Sequence, residues 1–144
     1  VNYVGIEVHR PGVGHLLMLI DDGDLPNLRV YSEDSIEVLT EVIPAKSLDA
    51  VQVFFPDPWP KKKHHKRRIL NRYFVDLLET KLKANGLVHI ATDWQLYAEE
   101  IEALLGSMPQ FNRVEAPLRP QTKFERRGMK LGHTIFDLAY RLID

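Results

Sequence analysis

Residues 48–68 read LDAVQVFFPDPWPKKKHHKRR, and this stretch decides the fold of the 144-residue chain. It opens with a near-continuous apolar run, 48–55, which predicts a parallel strand covered on both faces. The run ends in Pro56-Asp57-Pro58-Trp59-Pro60, where the prolines fix φ and remove backbone donors. Parallel α/β sheets bind ligands at the carboxyl ends of their strands, so Asp57 is predicted to lie in a stiff turn at a ligand site.

A cationic segment follows this turn directly. Residues 61–68 hold six Lys or Arg and two His. Subtracting this +6 from the net charge of −1 leaves −7 for the rest of the chain. The chain is therefore not a general polycation, and the segment favours a local contact with phosphate groups. The alternative is a solvated run of charge, which is the more common role of such segments.

Composition excludes several classes of protein. The chain is 44% apolar and 27% charged, as is typical of a globular domain with its own core. No apolar run approaches the ~20 residues that span a bilayer. Cysteine is absent, which excludes disulfides and thiolate metal sites, and His64-His65 lacks the spacing of a metal motif, so we predict no metal. We expect a cytoplasmic protein, and because Val1 falls within a strand pattern we also expect missing upstream sequence.

Periodicity predicts alternating strands and helices along the chain. Strands are predicted at 3–8, 28–31, 48–55, 87–91, 111–114 and 133–142. Helices are predicted at 11–20, 35–43, 69–84 and 94–105. This alternation indicates one α/β domain, 1–144, with a mostly parallel sheet.

Four acidic residues fall at the carboxyl ends of predicted strands, namely Glu7, Asp34, Asp57 and Asp93. Carboxylates at such strand ends accept hydrogen bonds from ribose hydroxyls, which suits Glu7, or from an exocyclic amine, which suits Asp34. Each has a structural alternative. Glu7 could be a solvated strand end, and Asp34 and Asp93 could cap the helices that follow them. Asp57 is the exception, because the flanking prolines hold its backbone in place.

A second constellation lies at 122–128, which reads TKFERRG. A hydroxyl, a carboxylate and cations at this spacing could contact a base and its phosphate. A capped single turn of helix explains the same pattern equally well.

These stretches together resemble one family. The segments YVGIEVHRPGVG (3–14), FFPDPWPKKKHHKRR (54–68), ATDWQLYA (91–98) and TKFERRGMKLGH (122–133), with the strand end at Asp34, are similar to the bacterial tRNA (guanine-N7-)-methyltransferases, the TrmB family. The resemblance implies a Rossmann-like class I methyltransferase that uses S-adenosylmethionine to methylate N7 of a guanine in the tRNA variable loop, at position 46. It covers the C-terminal two-thirds of the family pattern, without the glycine-rich first strand and loop, so we expect a truncated chain that lacks the first strand.

The resemblance also implies roles for individual residues. Glu7, Asp34 and Asp57 are expected to contact the cofactor, and Asp57 is also expected to be the catalytic acidic residue. The expected substrate contacts are Lys61, Asp93, Thr122, Lys123, Phe124 and Glu125. The expected RNA contacts are Lys63, His64, His65, Lys66, Arg67 and Arg68.

Two other functions remain open from the sequence. The chain could be a truncated, non-catalytic module that binds tRNA. It could also resemble amino-group methyltransferases, whose strand-end motif is D-P-P-aromatic, although Asp57-Pro58-Trp59 has only one proline before the aromatic ring. Trp59 itself could stack on a base or pack on its own domain.

Overall fold

A computed structural model of the protein describes residues 3–6, 28–31, 34–119, 126, 132 and 134–143. The chain forms two compact units, Val1–Pro44 and Ala45–Asp144. The single domain expected from the sequence stays a prediction. Among the described residues, no helix is both long enough and apolar enough to cross a membrane.

The first unit contains two parallel strands, β1 (Tyr3–Ile6) and β2 (Leu28–Tyr31), and a helix, α1 (Ser35–Glu41). Both strands match predicted ones in type, and residues 7 and 8 of the predicted strand 3–8 lie outside the described residues. Tyr3 and Val4, the first half of β1, are exposed, and β2 is the one described neighbour of this strand. The helix predicted at 11–20 lies outside the described residues.

The second unit is built on a four-stranded sheet with the order β3-β4-β6-β5. Its strands are β3 (Leu48–Phe54), β4 (Leu82–Thr92), β5 (Phe111–Val114) and β6 (Phe136–Leu142). β3 and β4 are parallel, whereas β6 runs antiparallel to both β4 and β5. The sheet is therefore mixed rather than mostly parallel. β3 lies at its edge with Ala50 and Gln52 exposed, so the prediction that both faces of this strand are covered is wrong.

Two helices cover this sheet, α2 (Arg72–Lys81) and α3 (Gln95–Gly106). α2 is shorter than the predicted 69–84 because the Asn71 side chain caps it, accepting from the Phe74 amide at 2.9 Å, and because Leu82 already belongs to β4. The helices and strands enclose an apolar core that includes Leu70, Phe74, Leu78, Ile90, Tyr97, Ile101, Leu105 and Leu138.

β4 begins five residues before the predicted strand 87–91, because Leu82 pairs with Leu48 ahead of an irregularity in the ladder. Asn85 has a positive φ of 64° there. A Cβ at Gly86 would lie 2.9 Å from Leu82 Cδ2 and from the Lys83 carbonyl oxygen, so glycine allows this close approach. Beyond the irregularity, the ladder runs regularly to the carboxyl ends of β3 and β4.

Candidate active site and nucleic-acid interface

The parallel pair β3 and β4 places two acidic residues at one edge of the sheet. Phe54 lies opposite Ala91, and the Phe55 amide donates to the Ala91 carbonyl at 2.7 Å. Asp57 and Asp93 follow these two strands directly. Asp57 and Asp93 therefore lie beyond the same end of the two strands, as expected for parallel strands.

Residues 55–60 form the strand-end turn, and its backbone is strained at both ends. Phe55 and Trp59 have φ values of 52° and 43°, in the left-handed region that bulky residues seldom adopt. Each such residue costs on the order of 1–3 kcal/mol and persists only where its surroundings hold it. The Asp57 side chain, between the two, is exposed. A fixed backbone thus presents a solvent-accessible carboxylate.

Arg68 holds the far end of the strand-end turn. Its Nε donates to the Pro58 carbonyl at 2.6 Å, its Nη1 contacts Glu100 Oε2, and its guanidinium lies 4.8 Å from the centre of the Tyr97 ring. The residue is 3% exposed, which is possible for a charge because these partners satisfy it. The structure therefore separates Arg68 from the exposed cations with which the sequence groups it, and directs it inward instead of toward a phosphate.

The buried ring of Tyr97 packs against the guanidinium of Arg68. Its hydroxyl accepts a hydrogen bond from the Leu70 amide at 3.1 Å. The pKa of Tyr97 is raised to about 12, mainly by burial; the hydrogen bond from Leu70 and the charge of Arg68 lower it, and the nearby carboxylates Glu100 and Asp57 raise it. The hydroxyl consequently stays protonated at neutral pH. Arg68 therefore stacks on a neutral ring.

The cationic segment is a 3₁₀ helix, Lys62–Arg67, referred to below as the basic helix. It is packed back against the strand-end turn. His65 Nε2 donates to the Pro60 carbonyl at 3.2 Å, and the His64 ring meets the Trp59 ring edge-on at 5.9 Å. The exposed cations of this region are Lys61, Lys62, Lys63, Lys66 and Arg67. Five cations therefore face solvent beside the turn that carries Asp57.

Trp59 packs against its own chain. Besides the contact with His64, its ring lies 5.1 Å from the Arg67 guanidinium carbon. Of the two roles that the sequence left open, the structure favours packing within the domain, and the ring supports an exposed cation.

Asp34 occupies the N-cap position that the sequence offered as its alternative role, whereas Asp93 does not. Asp34 stands at the N-cap of α1, yet its exposed carboxylate makes no hydrogen bond to the first turn. α3 has Trp94 at its N-cap, and Thr92 Oγ1 accepts from the Trp94 amide at 3.2 Å, so half-buried Asp93 lies just before the helix. Both acidic side chains are consistent with ligand contact.

A second cluster of polar side chains, partly buried, lies at the start of the strand-end turn. Asp137 on β6 accepts from Arg119 Nε at 2.9 Å, from Arg119 Nη2 at 3.2 Å and from His89 Nε2 at 2.8 Å. The Arg119 guanidinium lies 4.8 Å from the centre of the Phe54 ring and 5.8 Å from that of Phe55. This cluster was not predicted from the sequence. Its one signal was His89, a polar residue within an apolar strand.

Several predicted site residues lie outside the described residues, namely Glu7, Thr122, Lys123, Phe124 and Glu125. Within the described ranges, no group of three or more His, Asp and Glu side chains is arranged to hold a metal ion.

Similarity to known proteins shows the family to which the chain belongs. Residues 1–138 match the model of a family described as "Putative methyltransferase". The chain belongs to this methyltransferase family. Two relatives carry the name tRNA (guanine-N(7)-)-methyltransferase: that of Nitrosococcus oceani is 51% identical over 144 residues, and that of Halorhodospira halophila is 49% identical over 149 residues. They confirm the resemblance that the motifs indicated.

The chain spans only part of these methyltransferases. The two alignments cover 97% and 98% of this chain, but 61% and 64% of the relatives. Among solved structures, a tRNA (m1A58) methyltransferase from Aquifex aeolicus matches with a TM-score of 0.65 at 12% identity, over 99% of this chain and 54% of that one. At this identity the match shows the fold alone. The predicted Rossmann-like methyltransferase fold is confirmed.

Proposed function

We propose that this family member transfers a methyl group from S-adenosylmethionine to N7 of a guanine in the tRNA variable loop, at position 46. The observation that carries the proposal is the placement of Asp57, an exposed carboxylate in a strained turn, beside the basic helix Lys62–Arg67. The names of the relatives support the choice of tRNA and of N7. We place the protein in the cytoplasm.

The residues present fit the cofactor by the chemistry of their side chains. S-adenosylmethionine supplies an electrophilic methyl group when bound, and its adenosine part offers an exocyclic amine and ribose hydroxyls as donors. Asp34 has an exposed carboxylate that the first turn of α1 does not use, so it can accept from such donors. In our proposal Glu7 and Asp57 are the further cofactor contacts.

The chemistry at the guanine requires alignment and charge rather than a base. N7 carries an in-plane lone pair and no proton, so methylation there needs no proton abstraction. Positive charge develops on the ring during the reaction. Asp57 accepts hydrogen bonds from N1–H or N2–H₂ and stabilises that charge, which is the kind of preorganised electrostatic effect that dominates many active sites.

The cations next to Asp57 bind the tRNA backbone in this proposal. Exposed Lys63, Lys66 and Arg67 contact phosphates, while His64 and His65 hold the basic helix on the strand-end turn and lie beside the same strand of RNA. Arg68 is reassigned from RNA contact to support of the turn, because it is buried. The proposed substrate contacts are Lys61, Asp93, Thr122, Lys123, Phe124 and Glu125.

A methylation assay tests the proposal. The complete protein is incubated with labelled S-adenosylmethionine and a tRNA transcript, and the modified atom is mapped by cleavage at 7-methylguanine. We expect label at one guanine of the variable loop, and none after that guanine is replaced by adenine. Methylation of an exocyclic amine would contradict the proposal. Binding of tRNA without any methyl transfer would instead support the alternative of a non-catalytic module.

A further inference from the structure

We propose that Arg68 and Arg119 are positioning residues that clamp the two ends of the strand-end turn and thereby fix Asp57. Neither residue is expected to touch the guanine. The inference rests on the proposed function for its effect on catalysis, but the clamp itself is a property of the folded protein. It can therefore be measured without any assay of activity.

The clamp at the far end is a hydrogen bond to the backbone. Arg68 Nε donates to the Pro58 carbonyl, one residue after Asp57, at 2.6 Å. The guanidinium is itself held by Glu100 and by the Tyr97 ring, both on α3. A planar, multi-donor group is required here, because one side chain must reach a carbonyl and a carboxylate while stacking on a ring.

The clamp at the near end acts through aromatic rings. The Arg119 guanidinium lies over Phe54 at 4.8 Å and Phe55 at 5.8 Å, and the carboxylate of Asp137 holds it through two hydrogen bonds. His89 Nε2 donates to the same carboxylate, at Oδ1, with a distance of 2.8 Å. Arg119 is 11% exposed, so its contacts with the rings are largely shielded from water.

The contacts of Arg68 and Arg119 explain why the strand-end turn keeps its strained backbone conformation. Phe55 and Trp59 are both left-handed, and neither is glycine. Left-handed backbone at two bulky residues persists only where the surroundings hold it. The arginines supply that hold on either side of Asp57. Because a shift of about 1 Å at a reacting group costs on the order of 10²-fold in rate, the hold determines catalysis without a direct contact.

Hydrogen exchange tests the clamp directly. The Phe55 amide, bonded to the Ala91 carbonyl, reports on the turn. We expect Arg68→Lys and Arg119→Lys each to speed its exchange by about 10-fold or more, since local opening is governed by such contacts. The Ser47 amide, at the other end of β3, should not change. Unchanged Phe55 exchange in both variants would overturn the proposal.

A matched control is available at the opposite end of the sheet. Arg141 Nη1 donates to the carbonyl of Asn85 at 2.8 Å, and Asn85 is also left-handed. Arg141→Lys therefore removes the same kind of contact away from Asp57, and we expect normal Phe55 exchange. Circular dichroism and thermal unfolding check that each variant folds. If Arg68→Lys does not fold, Arg119→Lys makes the test from the other end of the turn.

Single-turnover methylation of tRNA separates positioning from general damage. Each Lys variant should lower the rate constant by about 10–100-fold with little change in the dissociation constant for tRNA. In an Asp57→Ala background neither should lower it further, because the group being positioned is gone. Additive losses would overturn the proposal. If the parent protein methylates no tRNA, the proposed function fails, whereas the exchange rates still decide whether the clamp exists.

Discussion

The Arg67 guanidinium lies 5.1 Å from the centre of the Trp59 ring, so the aromatic residue of the strand-end turn supports a cation of the basic helix. A cation over an aromatic face at an exposed site gains ~0.5–1 kcal/mol. This contact links the strand-end turn to the basic helix.

Trp59→Ala is therefore expected to weaken tRNA binding through Arg67, by a factor of about 2–5. Trp59→Phe, which keeps a ring, should retain most of the affinity. The measurement is a double-mutant cycle for tRNA dissociation constants with Arg67→Gln. Equal losses from Trp59→Ala with and without Arg67 would show that the ring acts independently, as it would if it stacked on a base.

Asp57→Ala should reduce the single-turnover methylation rate of the complete protein by ~10²–10³-fold, the effect of removing one preorganised stabilising group. Asp57→Asn is the matched variant, since it keeps the size of the side chain but loses the negative charge. It should lose most of the rate as well, because the negative charge of Asp57 stabilises the positive charge that develops on the guanine ring. A rate close to that of the parent for either variant would contradict the assignment of Asp57.

Replacing Lys63, Lys66 and Arg67 together by Gln should weaken tRNA binding and flatten its dependence on salt. Each lost phosphate contact lowers the slope of log K against log salt by about 0.7–0.9, so the triple variant should lose about 2–3. The control replaces Lys46, Lys83 and Arg141, which lie at the other end of the sheet and remove the same charge. Equal slopes for the two triple variants would show that the basic helix does not bind the phosphates.

Stability should fall at alkaline pH because of Tyr97. Its pKa is raised from 10.0 to about 12 by burial, so above pH 10 the unfolded chain loses this proton more readily than the folded one. The free energy of unfolding should therefore decline between about pH 10 and pH 12, by up to about 2–3 kcal/mol from this group. Tyr97→Phe should be less stable at neutral pH, since the Leu70 amide loses its acceptor, but should show a shallower alkaline decline. Chemical denaturation at each pH measures both effects.

The helices and strands could largely be predicted from the sequence, but the pairing of the strands could not. The 3–4 spacing of apolar residues identified α2 and α3, because one face of each helix packs on the sheet. The antiparallel pairing of β6 could not be predicted. The two-residue repeat of apolar side chains in a strand shows which face of the strand is buried, but it does not show whether the neighbouring strand runs parallel or antiparallel. The motifs that mark Asp57 and the basic helix were visible because their residues are contiguous.

Arg67 and Arg68 illustrate the limit at the site itself. They are adjacent and chemically identical, yet one is exposed and the other is 3% exposed. What distinguishes them is Glu100, 32 residues further along the chain, together with the ring of Tyr97. The sequence separation of His89 and Asp137 is 48 residues. Roles set by such distant partners become apparent only when the chain is folded.

The order of the strands has a consequence for synthesis. β6 is the last described strand in the chain, yet it lies between β4 and β5 in the sheet. A nascent polypeptide whose residues 136–142 are still inside the ribosome can pair β3 with β4, but it has no Asp137 for His89 and Arg119. The contacts of Asp137 at the start of the strand-end turn therefore form only after the C-terminal strand emerges and inserts between β4 and β5.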